Sequence, residues 1–242
     1  MRIAIAARRR LARLRRRRRL RRLRRFLLRL ILIAVIAPPL WVAVYAWVNP
    51  PITYLMVSEW TRLGEIERDW RDISAISPDL PHAVMGGEDA RFCAHSGFDF
   101  IEIRKALAEE GRRRGASSLT QQVAKNAFLW PDANWVRKGL EAGFAVMIEL
   151  FWSKRRIMEV YLNIAEWDEG VFGAEAAAQR YFGVSAADLT LRQASRLAAI
   201  LPNPKGRNAA QPTPWLSRRA AAIADGAETL RRTGAAACIE PG

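Results

Sequence analysis

Apolar residues recur along most of the chain at the three-to-four residue spacing of one helical face, and almost nowhere in strand-like alternation. The pattern predicts a mainly α protein in which any strand is minor. Its first feature is not periodic. Leu30–Val48 runs for nineteen residues without a charge, enough for one helix to cross a bilayer core. Pro38 and Pro39 fall inside it, which a membrane helix tolerates when neighbouring groups re-satisfy the freed carbonyls. Trp41, Tyr45 and Trp47 suit the interface at its far end. Beyond Asn49-Pro50-Pro51, Leu55, Met56 and Trp60 are expected along the bilayer surface.

Periodicity then takes over. Residues 78–89 read as a helix whose last turn carries Glu88. Over 99–114, Phe100, Ile103 and Leu107 share a face, with acids early, Arg112–Arg114 late and Gly115 as the stop. Ser117 is expected to cap a helix over 117–129, with Leu119, Val123 and Ala127 toward the core. Gln121 and Lys125 are expected to project together from another face of it. Asn134 caps a long helix over 135–152 with Leu140, Phe144, Ile148 and Phe151 as its apolar stripe. Arg137, Lys138 and Glu141 gather within one turn of it. Ser153 opens the next helix, with Ile157, Val160, Tyr161 and Ile164 inward. Helices over 174–183 and 190–201 follow a glycine-punctuated loop, and 214–232 reads as one more before a frayed end.

Charge sharpens the membrane reading. The net charge of +15 would suggest nucleic acid, but residues 1–25 hold fourteen arginines and no acid, and Arg29 makes fifteen. Removing these leaves 24 basic residues against 24 acidic ones, so the body is neutral. The tail has neither aromatic interleaving nor a recognisable nucleic-acid-binding fold, so nucleic acid is not an expected partner. It is instead a topology determinant that also touches anionic lipid, leaving the tail in the cytosol and the body outside. A cleaved signal peptide has shorter basic and apolar regions, so the segment reads as an uncleaved anchor. The expected organisation is an Arg-rich tail (1–29), a transmembrane helix (30–48), a membrane-proximal segment (49–75), a catalytic domain (76–210) and a C-terminal helix and tail (211–242). Cys93 and Cys238, far apart, are permitted a disulfide outside the cytosol, but spacing does not predict one.

Many chemistries are absent by inspection. There is no P-loop, no G-x-G-x-x-G, no G-x-S-x-G, no S-x-x-K and no H-E-x-x-H, and His82 and His95 are the two histidines. What remains are polar residues in three clusters: Glu88 and Asp89; then Ser117, Ser118, Gln121, Gln122, Lys125 and Asn126; then Arg137, Lys138 and Glu141. Two separated glutamates with amides, hydroxyls and cations suit glycosyl transfer from a phosphorylated donor. One carboxylate moves a proton, and the cations neutralise a phosphate leaving group. On spacing alone, Arg137 with Glu141 reads equally as an ordinary i,i+4 pair, and Glu88-Asp89 as a solvated helix end.

The motifs EDARFCAH (88–95) with GFD (97–99), GASSLTQQVAKN (115–126), RKGLE (137–141), KRRIMEVYLN (154–163) and GVFGAEAAAQRYFG (170–183) stand in one order. Together they resemble the peptidoglycan glycosyltransferases, glycosyltransferase family 51, and within it the monofunctional biosynthetic transglycosylases. The resemblance implies a lysozyme-like helical fold with an apolar patch near the membrane. It implies that Glu88 is the general base in polymerising lipid II into β-1,4-linked glycan, with inversion and release of undecaprenyl diphosphate. Glu141 would be the second catalytic glutamate near the diphosphate, and Lys125, Arg137 and Lys138 the cations holding it. Ser117 and Gln121 would bind the donor, and Asp89, Phe92 and His95 would support Glu88. The partners implied are lipid II, the growing lipid-linked glycan, the bacterial inner membrane, and cell-wall synthesis or division proteins, with the catalytic domain periplasmic. No cofactor is required, and a divalent cation (Mg or Mn) would at most assist at the diphosphate.

The chain departs from the family pattern in two places. The usual Gly-Gly-Ser-Thr is Gly115-Ala116-Ser117-Ser118, and Ala133 replaces an arginine common eight residues after the lysine matched by Lys125. Two other readings stay open, a lysozyme-like or lytic wall-cleaving enzyme and a non-catalytic membrane scaffold. The cations argue against the first and the intact glutamates against the second.

Overall fold

The computed structural model describes residues 2–108, 117–132 and 134–240, which divide into two units between Val44 and Tyr45. The expectations for Arg112–Arg114, Gly115, Ala116 and Ala133 lie outside the described residues, as does the side chain of Leu107.

The first unit is helical, α1 running from Arg2 to Tyr45 with Pro38 and Pro39 inside it. Within it, Arg19–Tyr45 is long and apolar enough to cross a membrane, its 27 residues spanning about 40 Å at the helical rise. Most of its side chains are exposed, Ile33 at 60% and Val35 at 65%, which is costly in water and favourable in lipid. The helix stops at Tyr45, short of the expected Val48, as the chain approaches Pro50 and Pro51.

The second unit begins with α2 (Tyr54–Leu63), capped by the Thr53 hydroxyl and ended by Gly64 at φ 86°. Met56, expected at a surface, is fully buried; Tyr54, Val57, Trp60 and Leu63 are the exposed apolar side chains of this helix. β1 (Glu67–Arg68) leads to α3 (Asp79–Glu88), which ends on Glu88 as expected. α4 (Phe100–Ala108) exposes Phe100, on the face it was expected to share with Ile103; the Asp99 carboxylate accepts from the N–H groups of Ile101 and Glu102, fixing the helix start with Phe100 outward.

α5 (Leu119–Phe128), α6 (Trp135–Phe151) and α7 (Lys154–Ile164) pack as a group, with the Asn134 and Ser153 caps in place. Leu119, Val123 and Ala127 of α5 are buried, as are Ile157, Val160, Tyr161 and Ile164 of α7. The cap of α5 is Ser118 rather than Ser117: its hydroxyl accepts from Gln121 N–H while the Gln121 side chain accepts from Ser118 N–H. On α6, Phe144 and Ile148 are buried but Leu140 and Phe151 are exposed. The buried face is completed by Arg137 and Glu141, and Val136, Leu140, Val146 and Leu150 are left pointing outward.

β2 (Glu166–Asp168) and β3 (Val171–Phe172) complete a small sheet of order β1-β3-β2. β1 runs parallel to β3 with Glu67 opposite Val171, and β2 antiparallel with Glu166 opposite Phe172. α8 (Ala174–Phe182), α9 (Leu191–Ile200) and α10 (Pro214–Thr233) follow, and α3, α9 and α10 form the second packed group. Gly86 permits a close backbone approach in that group: a Cβ there would lie 3.2 Å from both Ala227 N and Ile223 O of α10. The C-terminus is not frayed through residue 240. A 3₁₀ turn at Ala237–Ile239 is tied back by a Cys93–Cys238 disulfide.

Candidate active site

Glu88 closes α3 at the edge of a cleft of about 340 Å³, lined also by Gly86, Gly87, Asp89, Arg91 and Ser117. Its side chain is 13% exposed. One carboxylate oxygen accepts from Gln122 Nε2 at 3.0 Å, and the other lies 3.9 Å from Arg219 Nη2. Gln122 is itself fixed, its Oε1 accepting from the buried Tyr161 hydroxyl at 3.1 Å. Burial raises the Glu88 pKa above the ordinary 4.5, with Asp89 adding to the rise; the Gln122 bond and the charges of Arg219 and Arg207 oppose it. The result is a carboxylate that holds its proton more tightly than a surface glutamate.

The Asp89 carboxylate is engaged by the loop and helix around it. It accepts from His95 Nε2–H at 2.9 Å and from Leu119 N–H at 3.0 Å, and so joins the loop after α3 to the first turn of α5. Phe92 in that loop is fully buried, with Lys154 Nζ 4.3 Å from its ring centre. Ser118 Oγ donates to Gly97 O and closes the same loop.

The second cluster sits on α6. Glu141 is 3% exposed and accepts from Arg137 Nη1 at 2.7 Å and from Lys138 Nζ, while Lys138 also donates to Ser117 Oγ at 3.2 Å. Such burial separates this arrangement from an ordinary surface i,i+4 pair. Arg137 Nε is buried and has no hydrogen-bond partner among the described residues. Lys125 is held below its ordinary pKa by burial; the charges of Glu141 and Glu88 raise it, and those of Arg137 and Lys138 lower it. Lys125 therefore lies within electrostatic reach of both glutamates, between the two clusters.

Gln121, expected to project beside Lys125, does not: its carboxamide caps α5 at Ser118. The neighbouring Gln122 faces Glu88 instead. Tyr161, Arg207 and Arg219 also belong to the site and were not among the expected residues. Tyr161 read as core, and Arg219 as part of a C-terminal appendage. The Gly86-Gly87 pair was the available signal that another backbone approaches here.

Divalent-cation ligation fits these residues poorly. Both oxygens of Glu141 are held by cations. Asp89, His95 and Asp99 bring their ligand atoms within 4.8 Å. Asp89 is already hydrogen-bonded to His95, however, and Asp99 accepts from Arg91 at 3.0 Å.

The transglycosylase family model matches residues 56–228. That span covers every side chain just described, including Arg219. The chain belongs to the transglycosylase family. It is 54% identical over 199 residues to a biosynthetic peptidoglycan transglycosylase of Jannaschia sp. (strain CCS1), covering 82% of this chain and 83% of that one. Proteins of the same description in Caulobacter vibrioides and Rhodospirillum centenum are 49% and 51% identical, over 88% and 81% of this chain and 94% and 86% of theirs. The expected lysozyme-like helical class agrees with this membership and with the helical architecture.

Proposed function

We propose that this transglycosylase is a peptidoglycan glycosyltransferase that polymerises lipid II at the outer face of the bacterial inner membrane. Glu88 takes the proton from the C4 hydroxyl of the acceptor sugar as that oxygen attacks C1 of the lipid-linked donor. The O4–C1 bond forms as the C1–phosphate oxygen bond breaks. Undecaprenyl diphosphate leaves, and the anomeric centre inverts from α to β. Lys125, Arg137 and Lys138 take up the charge developing on the diphosphate. Glu141 orients two of those cations, and its own charge keeps the cluster from repelling itself. Asp89, Phe92 and His95 hold the loop that follows Glu88, and Ser117 positions Lys138. The donor carries its own leaving group, so no cofactor is required, and three cations supply the positive charge a metal would bring.

The observation that carries this reading is the pairing of a shielded glutamate with a separate buried cationic cluster, which hydrolysis of a neutral glycan does not use. The outward apolar row of α6, with Trp135 91% and Leu150 74% exposed, supports work against a lipid surface. The α1 anchor supports the same, since confinement to a membrane raises the effective concentration of lipid-borne substrate. The deciding experiment mixes detergent-solubilised full-length protein with purified lipid II. Polymeric glycan and released undecaprenyl diphosphate are the expected products. Soluble fragments released from finished wall material, with no polymer from lipid II, would overturn the reading in favour of a cleaving enzyme.

A further inference from the structure

The loop that follows Glu88 is held on its inner side by noncovalent contacts: Asp89 to His95 and to Leu119 N–H, and Ser118 to Gly97 O. On its outer side it carries Cys93, bonded to Cys238 across a sequence separation of 145. Cys238 belongs to the 3₁₀ turn of the C-terminal strap, beyond the family match, which ends at residue 228. The first turn of α7 grips both partners of this link. Lys154 sits over the Phe92 ring, and Arg155 Nη1 donates to Ile239 O at 2.6 Å.

A pocket adjoins the strap. Ile239 and Glu240 roof an apolar cavity of about 220 Å³ whose walls include Ile73, Ile76, Pro81 and His82. His82 Nδ1–H donates to Pro78 O at 2.6 Å, while Nε2 has no hydrogen-bond partner and lies 3.6 Å from the Glu240 carboxylate. The covalent link is what makes the strap a rigid backing for the loop.

We propose that the Cys93–Cys238 disulfide is a positioning element for the catalytic loop, and that reducing it lowers turnover while leaving the helical body folded. The proposal rests on the glycosyltransferase reading of Glu88. Reduction is a two-electron step: a dithiol such as dithiothreitol opens the S–S bond, two cysteine thiols form, and the reductant becomes a cyclic disulfide. Freed of its backing, the loop moves relative to α5, and the alignment of Asp89, Leu119 and Glu88 is lost for part of the time. Misplacements near 1 Å cost catalysis about 100-fold, so partial loosening is expected to lower kcat about tenfold.

The test uses full-length protein in detergent, oxidised, reduced and re-oxidised, beside a Cys93→Ala/Cys238→Ala double variant. Polymerisation of lipid II gives kcat and KM, far-UV circular dichroism reports folding, and hydrogen exchange reports residues 89–99 separately from α9 and α10. The expected result has three parts. Faster exchange of 89–99, a lower kcat at nearly constant KM and an unchanged helical signal should follow reduction. Re-oxidation should reverse these changes. The double variant should match the reduced protein and ignore the reductant. Unchanged loop exchange, or an unchanged kcat in spite of faster exchange, overturns the proposal. If oxidised wild-type protein makes no polymer, the glycosyltransferase reading fails instead, and the exchange of 89–99 alone decides whether the strap holds the loop.

Discussion

Replacing Glu88 by glutamine separates the charge of this side chain from its shape. The carboxamide oxygen of the Glu88→Gln variant would still accept from Gln122 Nε2, so the Tyr161–Gln122 chain stays intact. Loss of a general base typically removes two to four orders of magnitude in rate, about 3–5 kcal/mol of barrier. Stability should move the other way. Burial raises the Glu88 pKa above 4.5, so between that value and the folded one the native state binds more protons than the unfolded chain. Ionised Glu88 therefore subtracts from stability at neutral pH, by about 1.4 kcal/mol for each tenfold change in proton affinity. The glutamine variant escapes this penalty. At pH 7.5 it should melt at or above the wild-type temperature, and the advantage should vanish below about pH 4.5, where Glu88 is protonated in both states. Polymerisation of lipid II and thermal melts from pH 4 to 8, on the same preparations, read both effects. A variant that polymerises at the wild-type rate refutes the base. A variant that melts below wild type at pH 7.5 refutes the burial argument.

Three other perturbations follow from the same geometry. Gln122→Leu or Arg219→Gln removes an interaction that lowers the Glu88 pKa, so the acid limb of the kcat/KM profile should move to higher pH; a limb that stays or moves down contradicts the electrostatic account. Glu141→Ala leaves Arg137 buried and unpaired and should cost about 3–5 kcal/mol in denaturant unfolding, whereas a loss below about 1 kcal/mol would mean the pair is effectively solvated. Gly86→Ala drives a methyl group into the α10 backbone at 3.2 Å and should destabilise by about 1–3 kcal/mol, read as a lower melting temperature; no change would show that α3 and α10 pack with more slack than described.

Local physics made much of this protein legible in one dimension. The uncharged run after the arginine tail, the helices, the Asn134 and Ser153 caps and the inward faces of α5 and α7 all follow from contacts within a few residues. So does the placing of Glu88 on the last turn of α3. Glu88, Lys125, Arg137, Lys138 and Glu141 could be named because their segments carry recurring motifs. Which amide meets the carboxylate could not be read this way: Gln121 and Gln122 are neighbours of identical chemistry. The choice was made by Ser118, which takes Gln121 into its capping box and leaves Gln122 toward α3. The exposure of Leu140 and Phe100 also escaped periodicity, because a helical stripe shows that one face is apolar and not which neighbour covers it. Arg219 reaches Glu88 from a remote part of the chain because Gly86 lets α3 and α10 approach backbone to backbone. The partner of Cys93 was equally hidden, since a disulfide depends on where two chain segments end up in space and not on their spacing in sequence. Sequence alone determined the elements and the chemical inventory, through forces that act over one or two helical turns. Tertiary structure decided which of those groups share a site, because that depends on packing between segments that are remote along the chain.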